Sequence, residues 1–557
     1  MNITPIKEIQ GTDLSSPLAG QMVRTRGVVT ASVRRGFFLQ TPAVEWDQAA
    51  SDAIFIYSPD WPAIVGCELE VSGEVIDYFK HETARPVTQV HLDQVRIRKS
   101  PGPTVKPIDL TARLLPETNK DMARLLNSLE GMLLRIPAGQ TFIAPSNPYG
   151  DYVLAMDGGR PDNSLLRSRH GGVIPSADSH LRWFPGFRVS NYNHAPRLNV
   201  GAKLNSDVVG PLNYRVDAYQ LAVNQPFKLD PAYISIEKSA LKPTAGSITI
   251  MTLNCFNLDP HIESAHKVMN PDQDVDDDWG DGRFHTLAQA VVLQANSPDI
   301  VALQEIQDND GAELSEVVDA SETYQLLIKT IEQLSGVRYQ WIDVNPVMGA
   351  DGGQPGGNIR NAYLYNTERV DLVPDLTRVL GSGKPCFEGS RKPLLAVFRE
   401  KHSGEKLACI NVHLASKRHQ NSIFAPHEPG VDAKLGVRVA QAAVIHQEMQ
   451  NLSKAGMLYY VTGDFNDTEH SQTLAALTLE EGSNLVCSLP PEERYDYNHR
   501  GKLQVLMHGI VPTELVLNNR AQYEIIHGNE LIGVTPGEQS DKPSDHAYVI
   551  AKIQLAD

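Results

Sequence analysis

The sequence predicts an α/β protein: a two-layered α/β sandwich in its C-terminal part, preceded by a small β-barrel and a second, mostly β region. Three observations predict it. From residue 247 onward, apolar strand-like runs alternate with amphipathic helical stretches and there are few two-residue hairpins, the pattern of a layered α/β fold. Residues 1 to about 100 instead carry short alternating strands between Gly and Pro turns. At 557 residues the chain is also too long for one core, since single cores rarely grow past roughly 250–300 residues.

The elements follow in order. Met22–Val29, Gly36–Leu39, Ala53–Tyr57, Glu68–Val75 and Thr88–Ile97 read as the strands of a closed or half-closed barrel spanning residues 1–100. SPGPTVK, residues 100–106, is a Pro-rich linker. The second region, residues 107–243, opens with a helical stretch at Met122–Leu133. It turns β-like at Gly150–Ala155 and Val208–Leu221, and Asp157–Arg197 reads as long polar loops. KPTAG, at 242–246, marks the boundary to a third unit, residues 247–557. There the strands fall at Ser247–Leu253, Ile300–Leu303, Ala362–Tyr365, Leu394–Phe398, Leu407–Val412, Leu458–Thr462 and Tyr548–Ile553. The helices fall at Gly282–Gln294, Tyr324–Leu334 and Asp432–Gln450.

Composition narrows the function classes. With 41% hydrophobic and 21% charged residues the chain has a globular make-up, and no run approaches the ~20 apolar residues of a membrane-spanning helix. The formal net charge of −17 argues against tight non-specific nucleic-acid binding, which is driven by basic surfaces. It leaves room for a local basic groove or for cation-assisted binding. Five scattered cysteines without a CxxC argue against zinc and against a fully paired disulfide framework; Cys255 and Cys409 read as core residues. The opening MNITPIKEIQ has neither a basic n-region nor an apolar h-region, so as written it predicts no secretory signal.

Chemistry-bearing residues gather where strands end. In VTGDFND, Asp464 and Asn466 stand at i and i+2, so an extended backbone turns both to one face, and Gly463 lets the chain approach closely. A carboxylate beside an amide can accept a proton and donate to a phosphate oxygen. Glu305 closes the apolar run IVALQE, where a carboxylate must be paired, protonated or bound to a hard cation. His413 follows the run ending at Val412, with Lys417 and Arg418 just beyond; its imidazole can donate to an oxygen as negative charge grows. Asp545–His546 precedes the last strand and offers a metal ligand beside a general base.

Each motif is weak alone, but their order is not. Together with Asn254 in TLNCFNL and Arg360–Asn361 in GGNIRNAYLYN, the C-terminal unit resembles the endonuclease/exonuclease/phosphatase superfamily, the fold of pancreatic-type deoxyribonuclease. TPIKEIQG, SPLAGQMVRTRGVVTA and FFLQTP are similar to the N-terminal OB-fold of bacterial extracellular deoxyribonucleases in that superfamily, and SLEGMLLRIP to the segment between. The resemblance implies an OB-like barrel and a divalent-metal-dependent nuclease cutting DNA, and RNA as a further substrate, by direct attack of water on phosphorus. It implies Asn254, Glu305 and Asp545 at a metal, Mg²⁺ or Mn²⁺, with Ca²⁺ a further candidate. It implies His546 as the base, His413 as a transition-state donor, and Asp464 and Asn466 at the water, leaving group and scissile phosphate. Arg360, Asn361, Lys417 and Arg418 are the candidate substrate contacts. The family is typically secreted, which leaves the location open between export and cytoplasm.

One position departs from the family pattern. In YDYNHRGKLQVLMHGIV, Met507 stands where relatives carry the Asp that orients the base histidine. Three readings stay open: a shifted alignment, a substitute carboxylate such as Asp496, or altered activity. The departure keeps a weakly active or inactive nucleic-acid-binding protein as one alternative; a phosphodiesterase or phosphatase for small or lipid phosphoesters is the other. Two further features are expectations only. The acidic run DQDVDDDWGDG, 272–282, is a candidate Ca²⁺ loop or a solvated acidic loop, and it lacks the Gly and final Glu of an EF-hand. Arg24, Arg26, Arg34, Arg35, Phe37 and Phe38 mix charge with rings on the barrel and are candidate single-strand contacts, although alternation puts half of them inside.

Overall fold

The computed structural model describes residues 2–42, 46–82, 84–116, 118–156, 165–175, 182–418 and 420–556. The N-terminal strands Met22–Val33, Gly36–Gln40, Ala53–Tyr57, Glu68–Tyr78 and Val87–Lys99 close a barrel in the order first, second, third, fifth, fourth. This is an OB-like closure. Ile6, Val23, Phe37, Leu39, Ile54, Leu69, Val71 and Val90 fill it. The Gly36–Gln40 strand is buried on both faces, because the second region covers the barrel's outside. There Gln40 Oε1 accepts from the Leu133 amide at 2.8 Å and Ser51 Oγ donates to the Glu130 carbonyl at 2.6 Å.

The second region is built on a nine-stranded sheet with its own core, in which Phe142, Tyr152, Phe187 and Phe227 pack ring on ring. The helix expected over Met122–Leu133 ends earlier, at Asn119–Ser128; Gly131 takes φ +76° and the chain turns into the strand Leu133–Ile136. The helix's apolar spacing continues past its true end, so periodicity alone overran it. The stretch Val208–Leu221 is a hairpin, Val208–Arg215 and Ala218–Val223. Of the loops expected over 157–197, residues 157–164 and 176–181 lie outside the described residues. The remainder includes the strands Leu166–Arg167, Val173–Ile174 and Gly186–Val189.

The C-terminal part is a sandwich of two sheets backed by helices. One sheet runs Tyr339–Ile342, Arg360–Asn366, Ile300–Ile306, Ser247–Leu258, Tyr548–Gln554, Ala521–Ile526. The other runs Val370–Leu372, Leu394–Glu400, Lys406–His413, Leu458–Asp464, Met507–Pro512, Gly482–Asn484. Side chains from both, including Ile250, Ala302, Cys409, Tyr460 and Met507, form the core between the sheets. Phe284, Leu287, Tyr324 and Leu327 seal the first sheet from the helix side, and Ala442, Ile445 and Leu474 seal the second.

Polar ties fix how the sheets meet below the site. Asn411 donates to the carbonyls of Leu303 and Ala362 at 2.8 and 2.9 Å and accepts from Gln304, and Thr252 meets Thr462 at 2.6 Å. All are buried, where an unmade hydrogen bond costs about 1–3 kcal/mol. They therefore specify the register of one sheet on the other, and with it the distance between Glu305 and His413. Among the described residues no helix is long and apolar enough to cross a membrane.

Candidate active site

The sheet register itself gathers the site. His413 and Asp464 end parallel neighbours and are paired residues in that ladder. Gly463, between them and the core, cannot be replaced: a Cβ there would sit 2.0 Å from the Val412 carbonyl oxygen. Across the sandwich, Glu305 takes φ +56° at a break in register between Leu303 and Ile306. A bulge of this kind turns a side chain out of the strand's alternation, and the left-handed conformation is costly for a Glu, so the surrounding fold holds it.

His413 Nε2 lies 3.7 Å from both Glu305 Oε1 and Asp464 Oδ2, and His546 Nε2 lies 3.7 Å from the same Asp464 oxygen. Asp545 Oδ1 is 3.9 Å from His546 Nε2. Asp464 Oδ1 accepts from the Asn466 amide at 2.8 Å, which leaves Oδ2 to the histidines. Asn466 takes φ +51° and donates its side-chain amide to the Leu414 carbonyl. Six of the residues expected at the centre, Asn254, Glu305, His413, Asp464, Asp545 and His546, thus converge, with Asn466 at their edge.

The electrostatics follow from burial and carboxylate density. Burial, then Asp545, pushes the Glu305 carboxyl up to about 7. Burial raises Asp464 as well, against the pull of His546. Burial, Arg391 and His546 hold His413 well below its ordinary value, so it is a neutral donor or acceptor. For His546 burial acts downward, but Asp545, Asp496 and Asp464 outweigh it and lift the imidazole to about 10. The donor set fits a hard divalent cation: Glu305 and Asp545 bring carboxylate oxygens whose crowding a cation relieves.

Several expectations need correction. His546 has a carboxylate partner in Asp496, one of the three readings of the Met507 departure. Asp496 Oδ1 lies 3.0 Å from His546 Nδ1, while its Oδ2 accepts the backbone N–H groups of Leu506 and Met507 at 2.9 Å each. Met507 is fully buried in the inter-sheet core. Asn254 turns its amide nitrogen to Glu305 Oε1 at 3.1 Å and its oxygen to the Phe256 N–H, so it steadies the glutamate rather than facing a metal with its oxygen. Arg360 is buried, donating to Asn345 at 2.8 Å and to Asp343 at 3.4 Å, with one guanidinium nitrogen left without a hydrogen-bond partner. Asn361 is buried too, donating to the Lys392 carbonyl. Lys417 pairs with Asp467 at 3.0 Å, and Arg418 is exposed at the rim.

The barrel residues also differ from expectation. Phe37 and Phe38 are core, packed on Trp61 and Phe55. Arg24 is ion-paired with Glu70, and Arg26 with Glu68. The acidic run 272–282 is not simply solvated: Asp278 pairs with Arg283, and Asp276 meets Asp259 and Glu263. Ligand oxygens of those three carboxylates lie within 4.8 Å of one another, and burial lifts Asp259 to about 9.

Two neighbours escaped the sequence reading. Arg391 is buried, donates to the Leu414 carbonyl at 3.0 Å, keeps a buried Nε without a partner, and sets its charge against Glu305 and Asp464. Its signal is an arginine three positions before the apolar strand Leu394–Glu400. Tyr497 lays its ring 4.8 Å from that of His546.

Comparison with known proteins agrees with this geometry. Residues 275–506 match the Endonuclease/Exonuclease/phosphatase family, and residues 105–230 match a domain of unknown function, DUF8508. Residues 275–506 therefore carry an endonuclease/exonuclease/phosphatase superfamily domain, a class whose members hydrolyse phosphodiesters with divalent metals. Among solved structures, it is similar to an endonuclease/exonuclease/phosphatase from Bacteroides vulgatus, at 14% identity over 56% of this chain and 99% of that one, TM-score 0.34. It is similar to truncated Caenorhabditis elegans TDP2, at 14% identity over 55% and 98%, TM-score 0.35. The human Nocturnin catalytic domain with bound sulfate is similar at 16% identity over 56% and 94%, TM-score 0.35. No curated protein matches the chain.

Proposed function

We propose that the protein is a nuclease that cuts DNA, and RNA as a further substrate, by direct attack of water on phosphorus. The observation that carries this reading is the convergence of His546 and His413 on one Asp464 oxygen, with Asp496 behind His546 and Glu305 on the same Nε2 of His413. Asp496 orients His546 so that Nε2 faces the centre; the surrounding carboxylates hold the imidazole charged, and it is free to take the proton of the attacking water once a cation offsets Asp545 and Glu305. Asp464, bonded by the Asn466 amide and raised by burial, orients that water or, when protonated, gives its proton to the leaving oxygen. His413, held neutral, donates to a phosphate oxygen as charge grows. The Arg391 guanidinium adds positive charge on the same side. Glu305 and Asp545 would hold Mg²⁺ or Mn²⁺, with Ca²⁺ the remaining candidate, and the bound ion would polarise the phosphate as a Lewis acid.

A second reading, a phosphodiesterase for small phosphoesters, is favoured by one observation: Arg24 and Arg26 of the barrel are paired with glutamates and Phe37 and Phe38 are core, so these four residues lend little to holding a polymer. The non-enzymatic reading loses its motive, since Asp496 supplies the carboxylate that Met507 lacks.

The test incubates purified protein with supercoiled plasmid, single-stranded RNA and bis-(p-nitrophenyl) phosphate, in Mg²⁺, Mn²⁺, Ca²⁺ or a chelator, beside Glu305→Ala. The expected result is metal-dependent nicking of plasmid, absent with chelator and in the variant. Hydrolysis of the small ester alone selects the second reading, and no metal-dependent hydrolysis of any of them overturns both.

A further inference from the structure

Asp496 does not stand on either sheet of the sandwich. It immediately precedes the hairpin Tyr497–His499 and Lys502–Gln504. That hairpin belongs to a separate four-stranded sheet, ordered Leu166–Arg167, Val173–Ile174, Lys502–Gln504, Tyr497–His499. Half of this sheet therefore comes from the second region, far away in sequence, and Val173 pairs with Lys502 in parallel.

The contact is built on both sides. Asn498 donates its side-chain amide to the Ile143 carbonyl at 3.0 Å, while its oxygen accepts from Gly501 within the turn. Gly501 takes φ +87°, and a Cβ there would come within 2.8 Å of Ile143. Gly172 faces the hairpin in the same way, for a Cβ would sit 2.4 Å from Leu503 Cδ1. Ile174 and Val200 share a small core with Tyr495, Leu503 and Leu531, so the residue just before Asp496 is gripped as well. A hairpin with strands of three residues is not stable alone; it takes its position from what it docks against.

Resting on the phosphodiesterase reading above, we propose that residues 105–230 are a working part of the catalytic centre: they dock the hairpin that holds Asp496 against His546. In relatives, by the resemblance, the orienting carboxylate stands on a sandwich strand at the position Met507 occupies here. In this chain it has moved to a segment whose place is set by another region. The Asp496 amide donates to the Gln504 carbonyl at 2.9 Å and its carbonyl accepts from Ala547 at 2.7 Å, so hairpin, carboxylate and the His546 segment move together. Tyr497, on the same hairpin, lies against the His546 ring. Residues 105–230 thereby act as a positioning element, through Asp496, on the base.

The experiment uses the full chain with ¹⁵N-labelled histidine, and the full set Ile174→Ala, Gly172→Val, Asp496→Ala and their doubles. Leu134→Ala, in the second region's own core and away from the hairpin, controls for lost stability. Melting curves select the folded variants, and Ile174→Ala stands in should Gly172→Val unfold. A downfield imidazole N–H resonance from the His546–Asp496 bond is expected in the parent and in Leu134→Ala. It should vanish in Asp496→Ala and broaden or vanish in the docking variants. The docking variants should lose about ten-fold in kcat with little change in KM, yet add less than about two-fold once Asp496 is already Ala, the non-additivity of groups acting through one another. An unchanged resonance in the docking variants, or losses that multiply with Asp496→Ala, overturns the proposal. The resonance decides it even if the parent cleaves nothing, an outcome that would fall on the phosphodiesterase reading instead.

Discussion

The Asp496 carboxylate bridges His546 and the strand beside it: 3.0 Å to His546 Nδ1 through one oxygen, and 2.9 Å to the Met507 N–H through the other. The carboxylate thus sits over the backbone of the very residue whose side chain relatives use for this task. Met507 is free to be core, and it stands opposite Asp464 in the ladder between the Leu458–Asp464 and Met507–Pro512 strands.

Met507→Asp should therefore lower activity instead of raising it. The new carboxylate would be buried among apolar side chains, beside Asp464 and Asp496, with His546 already taken. Burying an unpaired charge of this kind costs about 3–5 kcal/mol. A melting temperature several degrees below the parent's and a reduced kcat are expected. A variant that melts like the parent and cuts faster would show that the in-strand position is the better seat and that the placement of Asp496 is dispensable.

Two arginines that look alike in sequence should separate by assay. Arg360 is enclosed by Asp343, Asn345 and the Asn358 carbonyl. Arg360→Ala should destabilise by about 1–3 kcal/mol, the range for unmaking buried hydrogen bonds, and leave KM within about two-fold. Arg391, which like Arg360 has one buried guanidinium nitrogen unmatched, differs in setting its charge against Glu305 and Asp464. Arg391→Gln should lower kcat about 10²-fold, as loss of a charge-stabilising donor does, with a smaller change in melting. Steady-state kinetics beside thermal melts check both, and the reversed pattern would reassign the two side chains.

What the sequence made legible, and what it hid, follows the physics of each signal. Glu305, His413 and Asp464 were readable because each closes an apolar run long enough to be recognised as a buried strand. Asp496 was readable as a candidate carboxylate, but not what holds it, because its hairpin has strands too short for periodicity and its partner region is some three hundred residues away. Arg360 follows a Gly-rich stretch, and nothing local in sequence shows that Asp343 and Asn345 enclose it. Phe37 and Phe38 could not be told apart by alternation, since a strand covered on both faces buries both. In each miss the deciding contact is tertiary.

The barrel gives a prediction about binding. Because Arg24 and Arg26 are each held by a glutamate, replacing both with Ala should change the slope of log Kobs against log salt, measured with a DNA oligonucleotide, by less than one. A free phosphate-contacting cation would be worth about 0.7–0.9 each. Phe37→Ala should cost about 3–5 kcal/mol of stability as a core truncation, while Kd per folded molecule holds. A fall in the salt slope by two would place these arginines on the nucleic acid.

The last prediction concerns pH and lies away from Glu305 and Asp545. His527 is buried with its Nδ1 3.0 Å from Glu530 and its Nε2 3.2 Å from Glu493, and it stacks on Tyr495 at 3.9 Å. Burial acts to lower its pKa, but the two glutamates prevail and raise it above the ordinary value. Arg169 and His170 face the same cluster, and His170 is lowered, first by burial. A raised histidine binds its proton more tightly folded than unfolded. Its stabilisation is complete below the ordinary value near 6.5 and is lost as pH rises through the raised one. Glu493, which is lowered, works in the opposite window and loses its contribution only in acid. Between mildly acidic and mildly alkaline pH, the parent should therefore lose melting temperature relative to His527→Gln, which carries no such proton. Parallel melting curves across that range would mean that the glutamates do not hold His527 charged, and the cluster would then be a neutral hydrogen-bonded pair of shells around Tyr495.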